Sequence, residues 1–142
     1  MGRLARLVGD SGVVLFQSLA DLALAQGKDQ ESQAHLFQET WSPRIAGELN
    51  DSYVKLAKLK GEFVWRQHEN EDELFLVVKG KLLIKLRERD LWLGEGEFVI
   101  IPKGVEHCPV AGEEVQVLLL EPKSTVNTGN TENERTFAAQ WI

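Results

Sequence analysis

Cysteine is nearly absent from this chain of 142 residues, which has only Cys108. A single cysteine excludes an internal disulfide and is typical of a protein from a reducing compartment. Basic residues are also scarce: 16 lysines and arginines stand against 22 acidic residues, which gives a formal net charge of −6. Because phosphate binding needs a basic surface, this charge argues against a nucleic-acid partner.

Long apolar runs are missing as well. No apolar stretch is long enough to span a bilayer, so we expect no membrane partner. Arg3 and Arg6 precede short apolar pieces, but Asp10 and Asp21 interrupt them, which is unlike a secretory signal peptide. We therefore expect a cytoplasmic protein. The sequence also contains no phosphate-binding loop, nucleophile elbow or zinc-finger spacing.

Length and apolar spacing indicate one β domain with an N-terminal extension. The chain is long enough for a single core, and 43% of its residues are hydrophobic. Between Val14 and Gln26 the apolar residues recur at helical spacing, and Gly27 follows as a stop signal. We predict an extension over residues 1–40 that contains this short helix, and a barrel domain over residues 41–142.

From Tyr53 onwards the pattern is one of short strands. Tyr53–Leu59 alternates apolar residues with lysines, including Lys55. Further strand-like segments, separated by turns with glycine or proline, are residues 63–68, 73–79, 81–86, 91–93, 97–101 and 115–121. Strands at this spacing are typical of an all-β sandwich or barrel. The apolar C-terminal end, with Trp141, is expected to dock on the core or on a second subunit.

Two histidines lie in this region at regular distances from glycines. The segment Gly61–Gly80 contains His68 and Glu73, and the segment Gly96–His107 ends in the second histidine. Imidazole and carboxylate are the ligands that divalent metals prefer. If a β fold brings the two segments together, they could form one site.

The two segments resemble the motifs of the cupin superfamily, which are small barrels built as a double-stranded β-helix. The second cupin motif is glycine, five residues, Pro-x-Gly, two residues and histidine. It is complete here, with Gly96, Pro102, Gly104 and His107. The first motif is His-x-His, three or four residues, glutamate, six residues and glycine. It is nearly complete, and Trp65 and Asn127-Thr128-Gly129 are similar to small single-domain members of the cupin_2 type.

The resemblance implies an all-β fold of the cupin or jelly-roll type and a metal site with one departure. Arg66 stands where the first histidine of the family is expected, and arginine offers no lone pair to a metal. The remaining ligands would be His68, Glu73 and His107, a two-histidine, one-carboxylate set for iron, manganese, nickel or zinc. The opposing interpretation is a metal-free site, in which Arg66 pairs with Glu73 and replaces the cation.

The resemblance also implies a pocket inside the barrel. Strand alternation places Val64 and Arg66 on the face of His68, and we expect Val64, Arg66 and Phe75 to contact the substrate. Our hypothesis is a small-molecule-binding protein of unassigned substrate. Two alternatives stay open: a metal-dependent dioxygenase or isomerase acting on a small anionic substrate, and a metal-free barrel kept for assembly. We expect a homodimer, because pairing would cover the open strand edges.

Overall fold

The computed structural model describes residues 39–134, 136 and 138–141. The predicted helix over Val14–Gln26 lies outside the described residues, so the proposed extension stays a prediction. Within the described part there is no helix long and apolar enough to cross a membrane. The strands are β1 (Arg44–Leu49), β2 (Ser52–Glu62), β3 (Glu73–Lys79), β4 (Leu82–Leu86), β5 (Asp90–Leu93), β6 (Phe98–Ile101), β7 (His107–Pro122) and β8 (Gln140–Trp141).

The strands wrap into the predicted cupin-type barrel around β7, the longest of them. The first residues of β7 pair with β4, and its later residues pair with β2 on one side and β3 on the other. β6 continues the sheet beyond β3, and β1 and β8 continue it beyond β2. Neighbouring strands are antiparallel except β8, which runs parallel to β1. The C-terminal end therefore docks on its own barrel, where Trp141 is opposite Ile45.

The interior of the barrel is apolar at one end and charged at the other. On β3 the inward residues are Val77, Phe75 and Glu73, in that order towards the charged end. On β7 they run from Val115 to Glu121, and on β2 from Leu59 to Lys55, since cross-strand partners share a face. Glu73 on β3, Glu121 on β7 and Lys55 on β2 thus reach the same end of the barrel.

The predicted strand over residues 63–68 is wrong, because β2 ends at Glu62. Phe63 N still donates to Pro109 O, and Arg66 and His107 then exchange both of their backbone hydrogen bonds. Two residues lie between Phe63 and Arg66, whereas only one lies between their partners Pro109 and His107. The segment after β2 therefore has a bulge. The extra residue reverses the alternation, so that Phe63 and Arg66 are both buried. Val64 lies in the bulge and does not continue the face of Arg66.

Candidate metal centre

Three ligand-type side chains converge at the charged end of the barrel. Glu73 is the first residue of β3, His107 is the first residue of β7, and His68 lies in the loop before β3. Backbone hydrogen bonds fix their positions: His107 N donates to Arg66 O at 2.8 Å, and Gly104 N donates to His68 O at 2.7 Å. Gly104 has a φ of 80°, which glycine adopts without strain. The Pro-x-Gly turn therefore holds His68 beside the strand of His107.

The side chains of the three residues meet around one carboxylate oxygen. His68 Nε2 lies 2.8 Å from Glu73 Oε2, and His107 Nε2 lies 3.3 Å from the same oxygen. Each residue offers a ligand atom within 4.8 Å of the other two, and all three residues are buried. Two ligands ~2.1 Å from one ion and at right angles to each other lie about 3.0 Å apart. The spacing suits a shared divalent ion as well as it suits hydrogen bonds.

The chemistry of the donors also fits a metal ion. His107 Nδ1 lies 2.9 Å from the carbonyl oxygen of Val105, to which it can only donate. In a neutral ring this leaves a lone pair on Nε2, which faces Glu73 Oε2 and suits a metal ion, whereas a hydrogen bond from Nε2 to Oε2 requires the protonated ring. Burial raises the pKa of Glu73, but the Arg66 charge and hydrogen bonds with His107 and His68 hold it well below the ordinary value. Glu73 is therefore an ionised carboxylate.

Arg66 pairs with the other oxygen of Glu73. Its Nη2 lies 3.2 Å from Glu73 Oε1, and this is a single contact rather than a bidentate pair. The guanidinium also lies over the ring of Phe63, with its carbon 5.1 Å from the ring centroid. Arg66 is 5% exposed, and within the described part of the chain its Nε and Nη1 have no hydrogen-bond partner. The carboxylate is thus divided, with Oε1 facing the arginine and Oε2 facing the histidines.

Two of the three predicted substrate-binding residues line a small void next to this cluster. Arg66 and Phe75 line it together with Glu73, and its volume is about 20 Å³. A void of this size holds one water molecule or one ligand oxygen. Val64 is not among the residues that line this void, whereas Phe63 is.

His68 opens onto a larger cavity at the barrel end. This cavity has a volume of about 360 Å³ and is lined by the loop after His68 and by residues of the C-terminal tail between Ser124 and Asn130. Two glutamates, Glu69 and Glu71, contribute to its wall. Glu71 also accepts a hydrogen bond from Ser124 Oγ at 2.8 Å, so the loop and the tail are tied together. The cavity gives one face of the cluster a connection to the outside.

A second buried ion pair at the same end was missed by the sequence reasoning. Lys55 Nζ donates to Glu121 Oε1 at 2.6 Å, and the two side chains are 4% and 3% exposed. Burial and the charge of Glu73 raise the pKa of Glu121 to about 7, although Lys55 opposes the shift. A signal was present in the sequence, because Glu121 directly follows the apolar run Val117–Leu120 and continues the alternation of Val117 and Leu119. An acid at such a position needs a buried partner, and Lys55 supplies it.

Two comparisons of the sequence with known proteins agree with this architecture. A family model of the cupin domain matches residues 52–121. The Bacillus subtilis protein YdbB is 41% identical over 61 residues, which cover 42% of this chain and 54% of YdbB. The chain thus spans about half the length of this curated relative.

Solved structures are similar to a larger part of the chain, 70% and 67% of it in the two cases that follow. A cupin-2 domain containing protein from Shewanella frigidimarina is 42% identical, with a TM-score of 0.63, and the alignment covers 70% of this chain and 97% of that protein. A protein from Neisseria meningitidis is 24% identical, with a TM-score of 0.59 and coverage of 67% and 97%, and this likeness shows the fold alone. With the barrel, both motifs and a relative matched over nearly its full length, the chain belongs to the cupin family.

Proposed function

We propose that this cupin domain binds a small molecule beside a divalent metal ion held by His68, Glu73 and His107. The observation that carries the proposal is the divided carboxylate of Glu73. Arg66 engages Oε1, so Oε2 remains directed at the two histidine Nε2 atoms. Two imidazoles and one carboxylate form a facial set that leaves coordination positions open. When bound, an ion there would supply a Lewis acid for an oxygen or nitrogen atom of the ligand.

Arg66 is the main physical argument against a metal ion. A unit charge and a divalent ion ~4 Å apart repel each other by roughly 8 kcal/mol at an effective dielectric constant near 20. The pairing of Arg66 with Glu73 Oε1 supports the proposal, because it directs the guanidinium to the side of the carboxylate away from the two histidines. The charge of Glu73 is nevertheless shared between two cations, so we expect weaker metal affinity than in a site with a histidine at position 66.

Arg66 is also the proposed anchor for the small molecule. Two of its buried nitrogen atoms have no partner within the described residues, and an anionic or carbonyl oxygen would satisfy them. Phe75 supplies an apolar wall of the same void. Val64 lies outside this void and is left out of the proposed contacts.

The proposal is tested by metal binding to the purified protein. Elemental analysis without added metal or chelator gives the resident ion, and calorimetric titration of chelated protein with manganese, nickel or zinc gives its affinity. Glu73→Gln removes the carboxylate charge and should weaken binding at least about tenfold. Glu106→Gln is the matched control, because Glu106 lies on the surface in a pair with Arg87.

Two outcomes would contradict the proposal. In the first, the wild-type protein binds none of these ions, and Glu73→Gln only lowers the melting temperature, as expected for a metal-free pair with Arg66. In the second, Glu106→Gln weakens metal binding as much as Glu73→Gln does.

The proposed working unit is a homodimer. The outer face of the sheet is apolar across three adjacent strands, where cross-strand partners carry the residues Phe98, Ile100, Leu74, Leu76, Leu118 and Leu120. Phe98 and Ile100 are 61% and 52% exposed. A face without charge, on a chain with a net charge of −6, suits a second copy of itself better than it suits a charged partner.

A further inference from the structure

A second cavity lies at the charged end of the barrel, on the other side of the Lys55–Glu121 pair from the candidate metal centre. Its volume is about 460 Å³, within the range of small-molecule sites. It is enclosed by β1, β2, the tail after β7 and β8. It shares two lining residues, Pro43 and Asn127, with the small void beside Glu73. We name it the Lys55 cavity.

The charges of the Lys55 cavity are of one sign. Among the described residues, the charged ones that line it are Lys55 and Lys123, and none of the lining residues is acidic. Lys123 reaches out to Glu48 on the surface, whereas Lys55 is 4% exposed. An ammonium group carries three donors, and Lys55 uses one of them for Glu121. The cavity wall therefore offers ammonium donors and, among the described residues, no carboxylate.

The wall also contains a polar group that the described residues leave unsatisfied. Thr125 lines the cavity and is 8% exposed, and its Oγ1 has no hydrogen-bond partner within the described part of the chain. A buried hydroxyl without a partner costs free energy, and a ligand oxygen would remove that cost. Apolar surface lies opposite, from Ile45, Tyr53 and Trp141. The aromatic pair is in edge contact, with ring centroids 5.8 Å apart.

We infer that the Lys55 cavity binds a small organic carboxylate. The carboxylate meets the Lys55 ammonium and the Thr125 hydroxyl, and a compact apolar body lies against Tyr53 and Trp141. The His68 cavity is the less suitable place for such an anion, since its charged lining includes Glu69 and Glu71. This site goes beyond the proposed metal function, because none of the three proposed metal ligands lines it.

The test uses benzoate as the probe and benzamide as its uncharged analogue. Both are titrated into chelated full-length protein by calorimetry and by ligand-observed NMR. We expect benzoate to bind with a Kd on the order of 1 mM, as suits a small ligand with one charged contact, and benzamide to bind about tenfold more weakly. Equal binding of the two probes, or no binding of benzoate, would overturn the inference.

Variants locate the bound probe. Lys55→Met with Glu121→Gln removes both charges of the buried pair and should weaken benzoate about tenfold. Thr125→Val removes a buried hydroxyl that has no partner among the described residues, so it should keep or raise the melting temperature and weaken benzoate roughly threefold. Lys85→Met is the control, since Lys85 pairs with Glu62 on the surface, and it should bind as the wild type does. Wild-type affinity in folded Thr125→Val protein would contradict the site.

A further variant separates this inference from the metal proposal. Glu73→Gln should bind benzoate as the wild type does, with or without chelator, because the Lys55 cavity does not need the metal. If benzoate binding is lost in Glu73→Gln or on chelation, the anion sits at Arg66 or on the metal, and the inference is wrong. Absence of metal binding, by contrast, would contradict only the metal proposal.

Discussion

Four buried charged residues at one end of the barrel decide what this site can bind. Arg66 pairs with Glu73, and Lys55 pairs with Glu121, so the formal charges cancel. Removal of one member of such a pair leaves an uncompensated buried charge, which costs about 3–5 kcal/mol. A bound divalent ion would add two positive charges to these residues, whose formal charges otherwise cancel. Substitutions that remove a positive charge near Glu73 should therefore favour the metal.

Arg66→His is the direct test of this charge balance. Residue 66 is opposite His107 and exchanges two backbone hydrogen bonds with it, so a histidine there would face the same side. The variant loses one positive charge and gains a nitrogen ligand. We expect zinc, nickel or manganese to raise its melting temperature more than that of the wild type, because a ligand of the folded state stabilises by mass action.

The control for Arg66→His is Arg87→His, which removes an arginine from the surface. It should respond to metal as the wild type does. If Arg66→His gains no metal-dependent stability, residue 66 is not at a ligand position, and the alignment of the first motif is wrong.

Glu121 should make the free energy of unfolding depend on pH. Its pKa is raised from 4.5 to about 7 in the folded state, so between these pH values the folded state binds more protons than the unfolded state. The free energy of unfolding should therefore fall, by roughly 3 kcal/mol from this residue, as the pH rises from 4.5 through 7. Glu121→Gln keeps an acceptor for Lys55 and should lose this component.

Denaturant unfolding of chelated protein between pH 4.5 and 8 measures the difference between wild type and Glu121→Gln. Glu73 has a lowered pKa and acts in the opposite direction, since its contribution is lost as the pH falls below its ordinary value. That change lies below pH 4.5, outside the range of this comparison. Parallel pH profiles would show that Glu121 titrates normally.

At the scale of elements, the C-terminal tail is the part that closes the barrel over the site. Asn130 N donates to Gln67 O at 2.9 Å, and Thr131 Oγ1 donates to Trp65 O at 3.0 Å. Gly129 has a φ of 59°, and a Cβ at this position would collide with Gln67 O. The tail therefore approaches the backbone beside His68 as closely as glycine allows.

Gly129→Ala should detach the tail from the loop that carries His68. We expect a loss of about 2 kcal/mol in unfolding free energy, from the positive φ and the collision together. Gly112→Ala is the matched control, because its Cβ would meet nothing within 4 Å. Denaturant unfolding of both variants measures the difference. Equal stability of the two variants would show that the tail is not held at Gly129.

The spacing of glycine, proline and histidine residues predicted where the site elements meet, but it did not predict every strand. Turns with Gly96 and Gly104 fix local geometry, whereas the meeting of the two motifs in one site was predicted from the resemblance to cupins. The bulge around Val64 arises where β2 must reach the start of β7, and such a long-range register has no local signal. β1 was missed as well, although Asn50-Asp51 forms the two-residue turn between Leu49 and Ser52.

At the scale of the whole molecule, the apolar outer face predicts self-association. Ile100→Lys places a charge in the middle of that face and should convert the proposed dimer into a monomer. Trp92→Lys is the control, since Trp92 is 59% exposed on β5, outside the face. Light scattering at micromolar concentration gives the mass of each protein. A monomeric wild type would contradict the dimer.

The central claim is that His68, Glu73 and His107 bind one divalent ion despite Arg66. The most direct measurement is anomalous diffraction from crystals grown with zinc, recorded on both sides of the zinc absorption edge. The account predicts one strong peak ~2.0–2.3 Å from His68 Nε2, His107 Nε2 and Glu73 Oε2, with Arg66 still on Oε1. No peak at this position, with the Arg66–Glu73 pair intact and the two histidines hydrogen-bonded to Oε2, would contradict it.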